Sequence, residues 1–432
     1  MRTKHIHKLK QSSLFKDSFW SILGNVAGHG LALMAGIIVA RFLGKEIFGE
    51  YGMIKATLLN IAVFSTFGLG LTATKFIAEA KNKGIGNIRK IVSVSTNITL
   101  ITSVFFASVL FIFSKQVAVY LNAEHLSIAL RIFAVNIVFN AIATVQVGIL
   151  AGFKKFKQIA INNGITGVVI FVLSVVLTYY WNIEGALLAL LTATLFRCVL
   201  NNIAVKRNLQ KYPHTEQRAT STVKQLLSFS FPIALQDGMY SLAIWLRILL
   251  LVKLTSYDEV GLYSAAQQWG AVMLFLPVIL QNVTLSHLSG TNENPVQNKK
   301  IFKTMFIVNL LATFVPFLVI FFFSNYIVSL YGNDFYALPA VLNITVFTAV
   351  INAVSSIYRQ SYIAKNMNWI MFGIRLVREF GTLILIYFFL YIQQETQGAY
   401  YSAVSMLVMS VLALIVMHYI YVLSSKIKIN KK

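Results

Sequence analysis

Asp237 is the residue of this sequence best placed to do chemistry inside an apolar segment. It lies about eleven residues into an apolar run that begins near residue 226, too deep for its short side chain to reach either end. A charge in hydrocarbon is costly, so it normally faces a helix-bundle interior or a water-filled cavity. Two interpretations stay open: Asp237 either lines such a cavity or is a satisfied hydrogen-bond partner between helices.

Polar positions recur between the two halves of the chain. Asn25 lies 212 positions before Asp237, and His29 shares its helical face four residues later. Lys55 lies 212 positions before Gln267. We therefore expect the first two helices of each half to line a central polar cavity. The candidate substrate-binding residues are Asn25, Lys55, Asp237, Arg247, Gln267 and Gln268, with Asp237 and His29 as candidates for ion coupling.

Several of these residues have a second, structural interpretation. Lys55 and Arg247 lie nearer one face of the membrane, where their long side chains could snorkel to the interface. His29 is either a packed, hydrogen-bonded histidine or a proton carrier. Arg375 and Glu379 are four residues apart, a spacing that favours a local ion pair. Arg197 receives no role, and the single cysteine, Cys198, is interpreted as packing.

The elements that position these residues form an internal repeat at an offset of about 212. Ser18-Phe19 recurs as Ser230-Phe231, and Gly49-x-Tyr51 as Gly261-x-Tyr263. Duplicated halves in a membrane protein are typical of transporters with a site between the repeats. The sequence predicts a repeat at 1–204, a basic connector at 205–225 and a second repeat at 226–432.

Composition predicts an all-α polytopic membrane protein. Hydrophobic residues make up 57% of the chain and charged residues 12%, and the mean hydropathy is +0.71. Apolar runs of spanning length recur throughout. Six helices per repeat is an even number, so the repeats insert in the same direction, as parallel repeats do. The twelve predicted helices are 17–40, 50–74, 91–113, 127–151, 159–181, 183–204, 226–252, 259–286, 302–324, 336–362, 368–392 and 396–424.

Charge gives the orientation. Of the 37 Lys and Arg residues, 27 lie in one alternating set of loops and the termini, and four lie in the other set. The positive-inside rule therefore places both termini in the cytoplasm. Spreading the +23 charge over short loops argues against nucleic-acid binding. The sequence has no GxxxxGK[ST] loop and no metal-ligand cluster, so we expect no cofactor and no bound metal.

A resemblance rests on residues 40–79, ARFLGKEIFGEYGMIKATLLNIAVFSTFGLGLTATKFIAE. This stretch resembles the N-terminal signature of the polysaccharide-biosynthesis flippases, a branch of the MOP transporter superfamily that also holds the MATE drug exporters and lipid II flippases. The second half of the chain is similar by pattern only. The matching residues are Arg41, Leu43, Gly44, Phe48, Gly49 and Tyr51, then Gly68, Gly70, Ala73, Lys75, Ala78 and Glu79.

The resemblance implies a Wzx-type flippase of the bacterial inner membrane. Such a protein moves undecaprenyl-pyrophosphate-linked oligosaccharide from the cytoplasmic to the outer leaflet by alternating access, for O-antigen, capsule or exopolysaccharide. Its partners would be this lipid-linked substrate, membrane lipids, and the polymerase and glycosyltransferases of the pathway. Lys55 and Arg247 would meet the diphosphate. H⁺ or Na⁺ coupling, or the membrane potential, would drive transport, and no covalent chemistry is required.

Three rival functions remain open. A cation-coupled multidrug exporter of the same superfamily would favour acidic and aromatic lining, whereas this chain has only 14 acidic residues. A polymerase or ligase of the polysaccharide pathway would carry catalytic residues in a large outer loop, and the predicted outer loops are short. A passive assembly protein would tolerate loss of the cavity charges.

Overall fold

The computed structural model describes the backbone of residues 13–83, 88–212, 219–291, 295–365 and 367–429. Side chains are described over the same ranges except at 13–27, 29, 82–83, 219–222, 282–283, 285–287, 289–290, 295, 368 and 424–429.

Every regular element in these ranges is helical, so the predicted all-α fold is confirmed. Two 3₁₀ turns, Glu124–Leu126 and Asn333–Phe335, and a π turn, Phe388–Ile392, supplement the α-helices. The α-helices are α1 Ser13–Thr66, α2 Leu69–Lys83, α3 Ile88–Ile112, α4 Ser114–Tyr120, α5 Ser127–Phe133, α6 Val135–Gly152, α7 Phe156–Leu209, α8 Ala219–Leu254, α9 Tyr257–Met273, α10 Phe275–Gly290, α11 Pro295–Phe322, α12 Ser324–Ser329, α13 Leu338–Ala364, α14 Asn368–Tyr387 and α15 Gly398–Ile429.

The first helix break differs from its predicted place. The predicted loop at 41–49 is helical apart from Gly44, whose φ of 72° and ψ of 172° kink α1. The chain leaves the helix later, at Phe67 and Gly68, where φ is 49° and 67°. Glycine tolerates the positive angle at Gly68, whereas apolar periodicity gives no signal for this break.

One further break lies between two predicted helices, and another interrupts the predicted helix at 259–286. Trp181 and Asn182 have non-helical angles inside α7, between the predicted helices ending at 181 and beginning at 183. Helices α9 and α10 meet at a bend of 45°. Pro277 explains this bend, because its ring clashes with the carbonyl four residues earlier and it lacks an N–H.

Within the described residues, seven helices are long and apolar enough to cross a membrane, or eight if the bent α9–α10 pair is one span. Helix α7 counts once here although its 54 residues contain a break. Twelve spans and cytoplasmic termini remain predictions.

The backbone packs as two compact units, which do not coincide with the predicted repeats. The first unit comprises residues up to Ala35 and Tyr51–Trp245, and the second comprises Gly36–Glu50 and Leu246–Lys432. The division falls inside α1 and α8, two long helices that each contribute residues to both units. Helix also occupies both ends of the predicted connector, since α7 ends at Leu209 and α8 begins at Ala219. The repeat boundaries remain a prediction.

Each unit has one helix that is buried on most sides. In the first unit this is α6 and in the second unit it is α13, with 56% and 67% of their most apolar 18-residue windows buried. By contrast, 17% of the corresponding windows of α11 and α15 is buried. Helices α6 and α13 correspond to the fourth predicted helix of each repeat, so the two halves use the same element as their core.

A reciprocal contact in the second unit reflects the sequence repeat. A β-carbon at Gly49 would overlap the carbonyl oxygen of Tyr257, and one at Gly261 would overlap that of Lys45. Gly49 and Gly261 are 212 positions apart, as are Lys45 and Tyr257. Repeat-related residues therefore meet as they would across a two-fold axis, and only glycine permits the approach.

We predict that Gly49→Ala and Gly261→Ala each lower the free energy of unfolding by about 1–3 kcal/mol, because the methyl group must displace backbone. Gly373→Ala is the matched control, since nothing lies within 4 Å of its missing β-carbon. The measurement is the unfolding midpoint of the purified protein in detergent. Equal midpoints for Gly49→Ala and Gly373→Ala would contradict the close approach.

Candidate functional site

Asp237 lies near the middle of α8, and its side chain is exposed. The apolar span Val223–Leu254 places it roughly 21 Å from one end and 26 Å from the other, at 1.5 Å per residue. An exposed carboxylate at this depth faces either hydrocarbon or water. Hydrocarbon is strongly unfavourable, so the position indicates an aqueous cavity beside α8.

Hydrogen bonds between α1 and α8 hold this part of the first unit in place. Asn60 Nδ2 donates to Ser241 Oγ at 3.0 Å, and Trp245 Nε1 donates to Thr57 Oγ1 at 3.0 Å. Ser241 shares a helical face with Asp237, but its hydroxyl is bonded to Asn60. Sequence reasoning missed Asn60 because nothing local connects residues 181 positions apart.

The same contact continues through α2 to the start of α8. A β-carbon at Gly238 would crowd the ring of Phe64, and the hydroxyls of Thr72 and Ser230 are 2.7 Å apart. Gly68 packs on the backbone of Ser230. Polar and small residues therefore join these helices along most of their shared length. This fixes the face of α8 that carries Asp237.

Lys55 lies on a different face of α1. It precedes Thr57 by two residues, which is about 200° around a helix, so it points away from the contact with α8. The side chain is half-buried, and its ammonium lies 5.8 Å from the ring centroid of Tyr51. The aromatic face of Tyr51 stabilises the Lys55 ammonium, and the side chain remains partly accessible.

Gln267 and Gln268 are half-buried in α9 of the second unit. The Gln268 side chain fits against Gly36, where a β-carbon would overlap it. Its Oε1 is buried and has no hydrogen-bond partner in the described part of the chain. Asn25 and His29 are both in α1, but their side chains lie outside the described residues.

Arg247 is buried rather than interfacial. Its side chain is 3% exposed, and its Nη2 lies 2.6 Å from Oε2 of Glu379, whose side chain is 8% exposed. Snorkelling is therefore excluded for Arg247, since the guanidinium is within the second unit. The expected role at a diphosphate is also weakened, because a carboxylate already neutralises this cation.

Glu379 has a second arginine partner. Arg378 forms an ion pair with its other oxygen, Oε1, and donates from Nη1 to Asn352 Oδ1 at 3.1 Å. The Arg375 pairing that the sequence suggested is a weaker electrostatic attraction, and the direct partners are Arg247 and Arg378. A local spacing rule could not find Arg247, which is 132 positions from Glu379.

The first part of the signature stretch, residues 40–50, has a structural role in the second unit. Gly44 supplies the kink of α1, and Phe48 is buried with its ring centroid 6.2 Å from that of Phe335. Lys45 forms an ion pair with Asp258 at 3.4 Å. These residues therefore fix where α1 turns.

Comparison with known proteins agrees with this geometry. The family model described as polysaccharide biosynthesis protein matches residues 14–285. The chain belongs to this family. A putative O-antigen transporter of Shigella flexneri is 22% identical over 419 residues, which cover 95% of this chain and 98% of that protein.

Solved structures show the same fold at low identity. An inward-facing multidrug resistance MATE family transporter of the MOP superfamily aligns with a TM-score of 0.76 at 14% identity, covering 93% of this chain and 94% of its own. The lipid II flippase MurJ, in an inward closed conformation, aligns with a TM-score of 0.74 at 15% identity, covering 92% and 87%.

The resemblance seen in residues 40–79 is thus confirmed. The chain is a multi-pass inner-membrane protein of polysaccharide biosynthesis with the MOP superfamily fold. Its family and relatives indicate a transporter rather than an enzyme.

We predict that Glu379→Met lowers the free energy of unfolding by about 3–5 kcal/mol, because Arg247 and Arg378 would lose their buried counter-charge. The double variant Arg247→Met, Glu379→Met should be more stable than Glu379→Met alone, since it removes the stranded cation. Unfolding midpoints of the two single variants and the double variant test this. Additive losses would show that Arg247 and Glu379 are not coupled.

Proposed function

We propose that this protein is a flippase that moves undecaprenyl-pyrophosphate-linked oligosaccharide units from the cytoplasmic to the outer leaflet. Membership of the polysaccharide biosynthesis family supports a role with polysaccharide precursors. The Shigella relative is named as a putative O-antigen transporter, and the MurJ neighbour as a lipid II flippase. Both names describe movement of a saccharide-bearing molecule.

The observation that carries the proposal is the exposed carboxylate of Asp237 at mid-depth in α8. A hydrophilic head group needs an aqueous, hydrogen-bonding path across the hydrocarbon core, and a mid-membrane carboxylate is stable only beside such a path. Sugar hydroxyls can donate to Asp237. The lipid tail needs no such path, so it stays in the bilayer while the head group crosses.

Lys55 is the cation that we assign to the substrate diphosphate. It is half-buried and partly open, whereas Arg247 is neutralised by Glu379. An ammonium acts on phosphate as a flexible point charge that binds and releases without fixed geometry. Such a contact suits a substrate that must leave on the other side. Gln267 and Gln268 provide amide groups for sugar hydroxyls.

For the driving force we propose H⁺ or Na⁺ coupling at Asp237, with the membrane potential acting on cavity charge as the alternative source. Glu379 is poorly suited to coupling because both of its oxygens accept hydrogen bonds from arginines. His29 remains a candidate proton carrier. Alternating access then requires that the cavity open to one side at a time.

We predict that deleting the gene leaves lipid-linked oligosaccharide on the inner leaflet, and that wild-type protein relieves this accumulation. Asp237→Asn and Lys55→Ala should reduce the restored transport at least about tenfold relative to wild type. This is the loss expected when a hydrogen bond to a charged group is removed. Leaflet-specific labelling of the lipid-linked sugar, at matched protein expression, measures the effect.

The matched controls are Glu124→Gln and Lys115→Ala. In the wild type these two residues form an exposed ion pair at 3.6 Å. Both variants should transport normally, because exposed ion pairs contribute little to stability. Normal surface polysaccharide in the deletion strain, together with greater sensitivity to cationic drugs, would indicate a drug exporter instead.

We also predict that Asp237→Asn abolishes the dependence of residual flipping on a pH gradient, because the amide cannot exchange a proton. Flipping in proteoliposomes with an imposed pH gradient, with and without an opposing potassium–valinomycin potential, measures this. If the variant keeps the wild-type dependence on pH, coupling does not reside at Asp237.

A further inference from the structure

Arg131 is an exposed arginine of α5, in the first unit, beside the end of an apolar helix of spanning length. Its guanidinium carbon is 5.4 Å from the ring centroid of Phe111. Phe111 belongs to the last turn of α3, which has 25 residues. At 1.5 Å per residue α3 is roughly 37 Å long, slightly more than the hydrocarbon core of a bilayer. The Arg131 guanidinium is therefore at the level of the lipid head groups.

The distribution of basic residues predicts the leaflet. The loop after α3 belongs to the alternating set that holds only four of the Lys and Arg residues. The positive-inside rule places this set on the outer side of the membrane. We therefore assign the end of α3, and Arg131 beside it, to the outer leaflet.

The face of α5 and α6 around Arg131 is apolar and uncovered. Ile128 and Ile132 are 68% and 58% exposed, and Val135 continues this stripe at the start of α6. Phe133, on the opposite side of α5, is buried. The neighbouring helix α3 is also open, with 22% of its most apolar window buried. An exposed apolar stripe beside a helix of spanning length is typical of a surface that contacts lipid.

Neutral groups hold the Arg131 guanidinium in place. Its Nε donates to Ser114 Oγ at 3.2 Å, and the ring of Phe111 lies beneath it. Glu124, the acidic residue nearest in the sequence, pairs with Lys115 at 3.6 Å instead. Among the described residues, no carboxylate lies within ion-pair distance of Arg131. The protein therefore positions this cation without neutralising it.

The second unit has a similar bend that uses no arginine at its serine. Helix α12 begins at the buried Ser324, directly after the exposed residues 321–323, as α4 begins at the buried Ser114 after the exposed residues 111–113. The Ser324 hydroxyl donates to the carbonyl of Phe321 at 3.0 Å. The bend itself therefore does not require an arginine, and Arg131 needs another explanation.

We propose that Arg131 and the apolar stripe around it form a binding site for a glycerophospholipid of the outer leaflet. The terminal nitrogens of the guanidinium bind the phosphate through paired, charge-assisted hydrogen bonds. Ile128 and Ile132 contact the acyl chains. A cation among exposed apolar side chains matches a ligand with an anionic head and a hydrophobic tail, whereas inorganic phosphate would leave the apolar stripe unused. The site takes a lipid that stays in its leaflet, so it does not depend on the proposed flippase function.

The test follows lipid binding to the full-length protein in detergent by native mass spectrometry, with dioleoylphosphatidylglycerol as the probe. Arg131→Gln should lower the apparent affinity of the tightest bound lipid about 10- to 100-fold, the range for loss of charged hydrogen bonds. Arg131→Lys should recover part of the affinity, because it keeps the charge but not the paired geometry. Lys115→Gln is the matched control, since it removes a neighbouring exposed cation that already has a carboxylate partner, and it should bind as wild type does.

Dioleoylglycerol, which has the same tails and no phosphate, should bind the wild type at least about tenfold more weakly. Equal affinity for the two lipids would overturn the proposal, as would equal phosphatidylglycerol affinity in wild type and Arg131→Gln. An equal loss of affinity in Lys115→Gln would show a general effect of surface charge and would also overturn it. Displacement of phosphatidylglycerol by an equimolar amount of undecaprenyl diphosphate would assign the surface to the transported lipid and refute a resident phospholipid.

Unfolding midpoints in lipid-free detergent separate loss of the site from loss of the fold. Ser114→Ala removes the same hydrogen bond as Arg131→Gln but keeps the cation. Tighter phosphatidylglycerol binding by Ser114→Ala than by Arg131→Gln, at similar midpoints, supports the site. Equal losses of binding in both variants, in proportion to their midpoints, would attribute the effect to the bend after α3 and would refute the phosphate contact.

Discussion

The hydrocarbon core offers no hydrogen-bond partners, and this constraint explains where the polar residues of the chain lie. A polar side chain at that depth must find a protein partner or face water. Arg247 and Glu379 take the first solution, with an ion pair at 2.6 Å inside the second unit. Asn60 and Ser241 take it too, as neutral partners between α1 and α8. Asp237 is exposed in the middle of a long apolar helix, and the proposed function places this carboxylate beside water.

The signature stretch illustrates how a recognisable motif can be structural rather than chemical. Its glycines permit backbone geometry that other residues resist: Gly44 has a positive φ, and Gly49 meets a carbonyl oxygen with no room for a β-carbon. Phe48 is buried. None of these side chains needs to touch a substrate. These residues determine the turn in α1 at Gly44, within the part of α1 that belongs to the second unit.

The sequence predicted the fold well because burial in lipid leaves a strong local signal. The helix breaks at Asn182 and near Pro277 follow from residue type. The continuation of α1 through Gly44 does not, because a single residue with unusual angles bends this helix without ending it. The depth of Asp237 in α8 was predicted from the sequence, and its role in transport stays a prediction. The partner of Arg247 was not, because it lies 132 positions away and only packing brings the two together.

Arg197 was set aside for a similar reason. From the sequence it has the same appearance as any arginine near a helix contact, and its significance depends on what surrounds it. In the described part of the chain, Arg197 Nε has no hydrogen-bond partner, nor have Asn201 Nδ2, one turn later, and Gln146 Oε1. Only a three-dimensional inventory of donors and acceptors distinguishes such a group from a paired one.

The two halves of the chain join their helices by different kinds of contact. In the first half, a β-carbon at Gly28 would crowd the backbone of Asn163, so glycine lets α1 and α7 approach closely. In the second half, Arg247 and Glu379 join α8 and α14 by a buried ion pair. A charged link resists separation because either partner alone would be stranded. The buried ion pair therefore makes the contact between α8 and α14 depend on both charges at once, whereas small residues alone bring α1 and α7 close together.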